Sequence, residues 1–296
     1  MGKKAKPGYY LLRTYTWIIQ LFPLWIHYFF ADLFFLLTYY VFRYRRRVVY
    51  TNLSNSFPVK SKQEIKQIER KFYRFFCDSL IETFYYDRIS EEEIKRRHTA
   101  LNFELVEKFL ADRRPVIIVS AHYNNWEWNC SLTLHSEYSG NIVYKRLTNE
   151  SFDQFYYNMR TRFGVRLIER SDTYRQLMED LRNNNSSTTG FLMDQTPRIN
   201  EIQYWTTFLN QDTPVLTGPE KISRKLDAVV VFCNVRKLKR GYNRMEFSVI
   251  TEHAKATTPF EITEKATRMI EAMIVESPEY WLWSHKRWKH RREQEG

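Results

Sequence analysis

Residues 15–42 of this chain are overwhelmingly apolar and aromatic, broken at Pro23, His27 and Asp32. Within that stretch, 24–42 gives 19 residues, roughly 28 Å as a helix at about 1.5 Å per residue, close to a bilayer core of about 30 Å. An aspartate in mid-span costs about 2.5–3.5 kcal/mol on insertion scales. Basic residues stand on both sides, Lys3, Lys4, Lys6 and Arg13 before and Arg43, Arg45, Arg46 and Arg47 after, so charge asymmetry selects no orientation. The expectation is a hydrophobic membrane helix, either a single span or a kinked helix dipping in from the cytoplasmic face. The apolar run is too long for a signal peptide and no small-residue cleavage site follows it, so it is expected to stay in the mature protein.

From 48 to 110 the apolar positions take a helical period. Ser61 ahead of Lys62-Gln-Glu64 has the pattern of a capping box, and Ile65, Ile68, Phe72, Phe75 and Phe76 share one face, as a core-facing stripe would. Beyond it, short apolar runs alternate with helical stretches. Runs 116–119, 141–144, 190–193 and 228–232 read as strands, with a late strand over 244–250. Segments 152–163, 173–181 and 220–226 read as the helices between them. This alternation predicts an α/β fold with a mixed central sheet flanked by helices. Domain organisation follows: 1–48 as a membrane-attachment helix with basic flanks, 49–296 as the main domain. Residues 183–189 read as a polar loop, and 287–292 as a basic, solvated tail.

Charge adds a partner class. Forty-six Lys and Arg against 34 Asp and Glu leave +12, so the surface attracts something acidic: nucleic acid, anionic lipid or an acidic carrier protein. Aromatics at 17% tilt the choice toward a lipid interface, and no nucleic-acid motif accompanies the charge. Cys77, Cys130 and Cys233 are far apart and form no metal or disulfide pattern.

The candidate chemistry sits in Ser120-Ala-His-Tyr-Asn-Asn-Trp-Glu-Trp128. His122 follows a strand directly, which places it at the carboxyl end of the sheet, where open α/β folds bind ligands. Glu127 is five residues on; if 124–129 begins a helix, its carboxylate can fold back on the imidazole, fix the tautomer and leave the other nitrogen free to take a proton. No Gly-x-Ser-x-Gly elbow or Cys/His pairing offers a covalent route, so direct attack of a hydroxyl on a thioester is the simpler mechanism. The spacing is not specific. His27 and Asp32 repeat it inside the hydrophobic segment, where no strand precedes the histidine and an interfacial or helix-packing role is expected.

Other segments sharpen the reading. The segment 120–127 resembles the Gly-His-x-Gly-Asn-Trp-Glu block of the late acyltransferases of lipid A biosynthesis, the lauroyl and myristoyl transferases of the lysophospholipid acyltransferase superfamily. In order, Tyr144-Lys-Arg-Leu-Thr-Asn149, Met159-Arg-Thr-Arg-Phe-Gly164, Met193-Asp-Gln195, Thr213-Pro-Val-Leu-Thr-Gly-Pro219 and Pro278-Glu-Tyr-Trp-Leu-Trp-Ser-His-Lys-Arg-Trp288 resemble that family's further blocks, and Arg45-Arg-Arg-Val-Val-Tyr-Thr-Asn-Leu53 fits its start. The resemblance implies a glycerolipid acyltransferase-like fold, His122 as general base, Glu127 as its partner, and Arg160, Arg162 and Asp194 as polar residues of the same site. Such an arginine can hold a lipid phosphate or an oxyanion, and Asp194 can orient it. Asn124 stands where the family usually has Gly, and Lys145-Arg146 where Arg-Pro is common. Trp205 and Phe208 are candidates for core or for an acyl channel.

The resemblance further implies transfer of a fatty acyl chain to a hydroxyl of a lipid A precursor at the cytoplasmic side of an inner membrane. The donor would be a thioester of acyl carrier protein or coenzyme A, with no metal or other cofactor. The expected partners are acyl carrier protein, a glycolipid acceptor and the membrane. Another lipid acceptor, or water in a thioesterase, keeps the same chemistry.

Overall fold

The computed structural model describes residues 7–292; Lys3, Lys4 and Lys6 of the basic flank lie outside them. Along the chain run α1 (Pro7–Gln20), α2 (Leu24–Leu36, continued as a π-helical turn to Val41), α3 (Arg46–Ser56), α4 (Lys62–Tyr86), α5 (Glu91–Arg97), β1 (His98–Leu101), α6 (Glu104–Ala111) and β2 (Val116–Ser120). A 3-10 helix (Trp126–His135) leads to β3 (Ser139–Tyr144), α7 (Glu150–Thr161), β4 (Arg166–Glu169), α8 (Thr173–Arg182) and β5 (Ser187–Leu192). The hairpin β6 (Trp205–Phe208) and β7 (Gln211–Pro214), α9 (Gly218–Leu226), β8 (Val229–Lys239), β9 (Tyr242–Thr251) and α10 (Glu261–Glu276) complete it.

Seven strands form one sheet in the order β1-β9-β8-β2-β5-β3-β4. All neighbours are parallel except β8 and β9, so the sheet is mixed, as the alternation predicts. Its centre is β2, buried throughout. The period-two rule sends Val116 and Ile118 to one face, where they pack with Val106, Phe109 and Leu110 of α6. Ile117 and Val119 face the other way, into the core shared by α3, α4 and α10. Burial of each such side chain contributes about 1.5–3 kcal/mol.

Helix α4 begins at the predicted capping box, with Ser61 Oγ accepting from Glu64 N and Glu64 Oε2 from Ser61 N. Its apolar stripe faces the core, with Ile65, Phe72 and Phe75 buried. On their other faces α4 and its C-cap Asp87 present four buried acids, three met directly by the N-terminal helices and one through Arg240. Arg46 binds Glu69 at 2.9 Å, Arg13 and Thr16 bind Asp87 at 2.7 and 2.8 Å, Tyr28 donates to Glu82 at 2.6 Å, and Arg240 bridges Asp78 to Asp32. Leu24, His27, Ala31, Phe35 and Tyr39 supply the buried stripe of α2 at helical spacing. His27 is a packing histidine: it is buried, bonded to the Phe22 carbonyl at 3.0 Å and set against Tyr85. The opposite stripe, with Trp25, Phe29, Phe30, Leu33, Leu36, Leu37 and Tyr40, is bare. Leu24–Val41 is long and apolar enough to cross a membrane.

Two expectations are corrected. The segment after His122 is not an α-helix from 124: Asn124 takes a left-handed conformation (φ 51°), and a 3-10 helix starts only at Trp126. The basic run 287–292 is not simply a solvated tail. Arg287 is fully buried, donates to the Pro214 carbonyl at 2.8 Å and lies over the Phe208 ring. Strands β1 and β4, the β6–β7 hairpin and α10 are additions to the predicted elements.

Candidate active site

Register builds the centre of the site. Strands β2 and β5 are parallel neighbours with Ser120 opposite Leu192. The same offset carried two residues past both strand ends puts His122 beside Asp194. His122 Nδ1 lies 2.8 Å from Asp194 Oδ1, which also accepts from the His122 backbone N–H at 3.0 Å. Asp194 Oδ2 accepts from Trp281 Nε1 at 2.8 Å, and its residue is buried. Burial disfavours the charged carboxylate, but the His122 charge and the hydrogen bonds from His122 and Trp281 outweigh it and hold the carboxyl down at about 2. Asp194 is therefore ionised at neutral pH. In the neutral imidazole, with Nδ1–H donated to Asp194, Nε2 carries the lone pair, and the Gln195 side-chain amide sits 3.1 Å from that nitrogen. Trp126 packs edge-on to the imidazole at 5.5 Å, and the His122 side chain remains 19% exposed.

The loop is clamped by the closing segment of the chain. Tyr123 bridges to Trp281, Asn124 N donates to Tyr280 O at 2.8 Å, and Leu282 N donates to His122 O at 3.2 Å. The left-handed Asn124 explains why it can stand where the family usually has Gly: a glycine reaches that conformation freely, and asparagine is among the side chains that best tolerate it.

Glu127 is not the partner of His122. Both its oxygens are taken by Arg160 of α7, at 2.8 Å to Nε and 2.7 Å to Nη2, a bidentate pair. The physical reason is the turn at Asn124 and the tighter 3-10 coil, which aim the side chain across to α7 instead of back along the strand. Burial works against the Arg160 charge, but the Glu127 carboxylate overrides it and raises the guanidinium's pKa. Arg160 also lies over the Tyr156 ring at 5.0 Å. Arg162 turns elsewhere, donating to the Tyr86 carbonyl at 2.6 Å and covering Phe163. Asp194 thus orients the histidine, where the sequence reading has it orienting an arginine.

Three further residues belong to the centre: Gln195, Trp281 and His285. All lie in segments that resemble family blocks, which is the signal that points to them. His285 Nε2 approaches Thr196 N at 3.4 Å, and burial pushes its pKa down to about 4. Phe208 is core, packed on Trp281 at 5.8 Å, whereas Trp205 is half-buried under Arg292. Burial raises the thiols of Cys77, Cys130 and Cys233 to about 12, so none is a ready nucleophile.

A histidine bonded to a buried aspartate at the carboxyl edge of an α/β sheet has the chemistry to take a proton from a hydroxyl, as group transfer requires. The chain belongs to the bacterial lipid A biosynthesis acyltransferase family, whose family model matches residues 3–290. It is an acyltransferase of that type. No curated protein matches the chain as a relative.

Proposed function

We propose that this enzyme moves a fatty acyl chain from the thioester of an acyl carrier protein to a hydroxyl of a lipid A precursor, with His122 as general base. The observation that carries the reading is the His122–Asp194 pair, together with membership of the family. The acceptor hydroxyl displaces the Gln195 amide from Nε2. As its oxygen attacks the thioester carbonyl, Nε2 takes the proton, and Asp194 stabilises the imidazolium. The tetrahedral intermediate collapses with cleavage of the C–S bond. The leaving thiolate takes the proton from Nε2, giving an ester and a free thiol. Arg160, held by Glu127, supports a phosphate of the acceptor or the oxyanion of the intermediate.

The bare stripe of α2 supports attachment to a membrane. Its aromatic side chains are flanked by the exposed Arg43, Arg45 and Arg47, a pairing that suits an anionic leaflet. Because the opposite stripe is sealed against α4, the helix lies along the membrane surface with its outer face immersed, on the cytoplasmic side where carrier thioesters are made. The test is mass spectrometry of products from purified protein, an acyl-carrier thioester and a lipid A precursor. One added acyl chain is expected, absent with His122→Ala; free fatty acid alone would identify water as the acceptor and overturn the lipid assignment.

A further inference from the structure

Glu82, on α4, is 1% exposed, and the bonds to its carboxylate come from neutral donors on two different elements. Tyr28 Oη of α2 donates to Oε1 at 2.6 Å, and Asn125 Nδ2 of the catalytic loop donates to Oε2 at 2.7 Å. The backbone carbonyl of Glu82 accepts from Trp128 Nε1 at 3.1 Å, so one residue holds the loop at two points, either side of Trp126 and Glu127. Burial raises the pKa of this carboxyl, with the charge of Lys237 acting against that effect and the charge of Asp78 adding to it. A buried carboxylate without a bonded cation is a costly way to fill space, and an apolar side chain would serve packing better. What a carboxylate uniquely offers here is two acceptors back to back, one for each donor.

The outer end of this chain of bonds is fixed to the apolar helix. Arg240, at the β8–β9 turn, stacks on the Tyr28 ring at 4.3 Å, donates to the Tyr28 carbonyl at 3.3 Å and pairs with Asp32 one turn on. Tyr28 therefore moves with the seat of α2. The inner end is one residue from Trp126, whose ring edges His122.

We propose that Glu82 is a positioning residue that links the seat of the apolar helix α2 to the geometry of the catalytic loop, through Tyr28 on one side and Asn125 on the other. The proposal rests on the acyl-transfer reading for its kinetic consequence, and its structural consequence stands apart from it. A lipid surface that holds α2 in place thereby holds the loop that carries His122.

The test uses the full chain with Tyr28→Phe, Asn125→Ala and the double variant, each checked by denaturant melts to be fully folded under the assay conditions. Tyr28→Phe removes one hydroxyl and leaves the ring under Arg240. It is expected to lower kcat roughly 3- to 10-fold, as one lost hydrogen bond to a buried carboxylate would, with KM for the thioester unchanged. The double variant is expected to be no slower than the slower single one, because both break the same relay. Hydrogen exchange of the 121–129 peptide should quicken in Tyr28→Phe while α10 stays protected. Multiplicative kinetic effects, or loop exchange identical to wild type in Tyr28→Phe, would overturn the proposal. If the wild type transfers no acyl chain, the function fails while the exchange experiment still decides the relay.

Discussion

Asp194 Oδ1 accepts from both the ring and the backbone of His122, at 2.8 and 3.0 Å, so one oxygen fixes the imidazole's tautomer and its place on the sheet edge. The other oxygen is held by Trp281, so each carboxylate oxygen has a partner fixed by the fold. That geometry divides the polar groups of the site into two pairs, His122 with Asp194 and Glu127 with Arg160.

The second pair yields a prediction about binding. If Arg160 holds a phosphate of the acceptor, Arg160→Met raises KM for that acceptor several-fold and changes kcat far less; a fall in kcat at unchanged KM assigns the guanidinium to the oxyanion instead. Glu127→Ala should lower stability by roughly 2–3 kcal/mol, because it strands a largely buried arginine that keeps some contact with solvent. Denaturant melts and acceptor titrations check both. An unchanged KM in Arg160→Met would remove Arg160 from the acceptor site.

Acid stability depends on buried histidines. Burial lowers His98 to about 3, against the bond to Asn129, and His285 to about 4, while an unfolded histidine titrates near 6.5. Between those values the unfolded chain binds protons that the native one refuses, so stability falls as pH drops below about 6.5. Each group contributes a slope of up to roughly 1.4 kcal/mol per pH unit. Asp194 is shifted in the same direction but in a lower window: its contribution is complete above the ordinary carboxyl range and is lost only as pH falls toward about 2. Denaturant melts from pH 7 to 4.5 should show this slope, made shallower in His98→Asn; a flat profile would contradict the burial argument.

Membrane attachment is tested on the outer stripe of α2. Replacing Trp25, Phe29 and Phe30 together by Ser should weaken flotation with vesicles containing anionic lipid by roughly tenfold or more, since each immersed aromatic side chain contributes on the order of 1 kcal/mol or above. Helix content should not change, because these side chains make no part of the buried core. Undiminished flotation would place the lipid contact elsewhere.

Much of this architecture is legible in the sequence because the central strands carry strong local signals. The apolar run ending at Val119 announces His122, and the run ending at Met193 announces Asp194 at the same edge. What a local pattern does not show is that these two strands are neighbours in a register that aligns their ends. Glu127 illustrates the cost: its spacing from His122 suits a pairing only if the chain coils as an α-helix, and a single left-handed residue, Asn124, redirects it. Arg287 reads as part of a solvated charge run because its partners, the Pro214 carbonyl and the Phe208 ring, come from a hairpin more than 70 residues away. The two short strands β1 and β4, with four residues each and polar side chains among them, lie at the sheet's edges, where tertiary pairing rather than apolar pattern defines them.

The division of the site into two pairs is tested most directly by the single-turnover rate of acyl transfer in Asp194→Asn and Glu127→Gln, measured side by side. Asparagine offers one acceptor where the aspartate offers two, so it cannot hold both Trp281 and the Nδ1–H tautomer of His122. The account predicts that Asp194→Asn slows transfer by roughly 10²–10⁴-fold, as loss of an oriented general base does, while Glu127→Gln slows it far less at saturating acceptor. Near wild-type transfer by Asp194→Asn, with transfer abolished in Glu127→Gln, would contradict it.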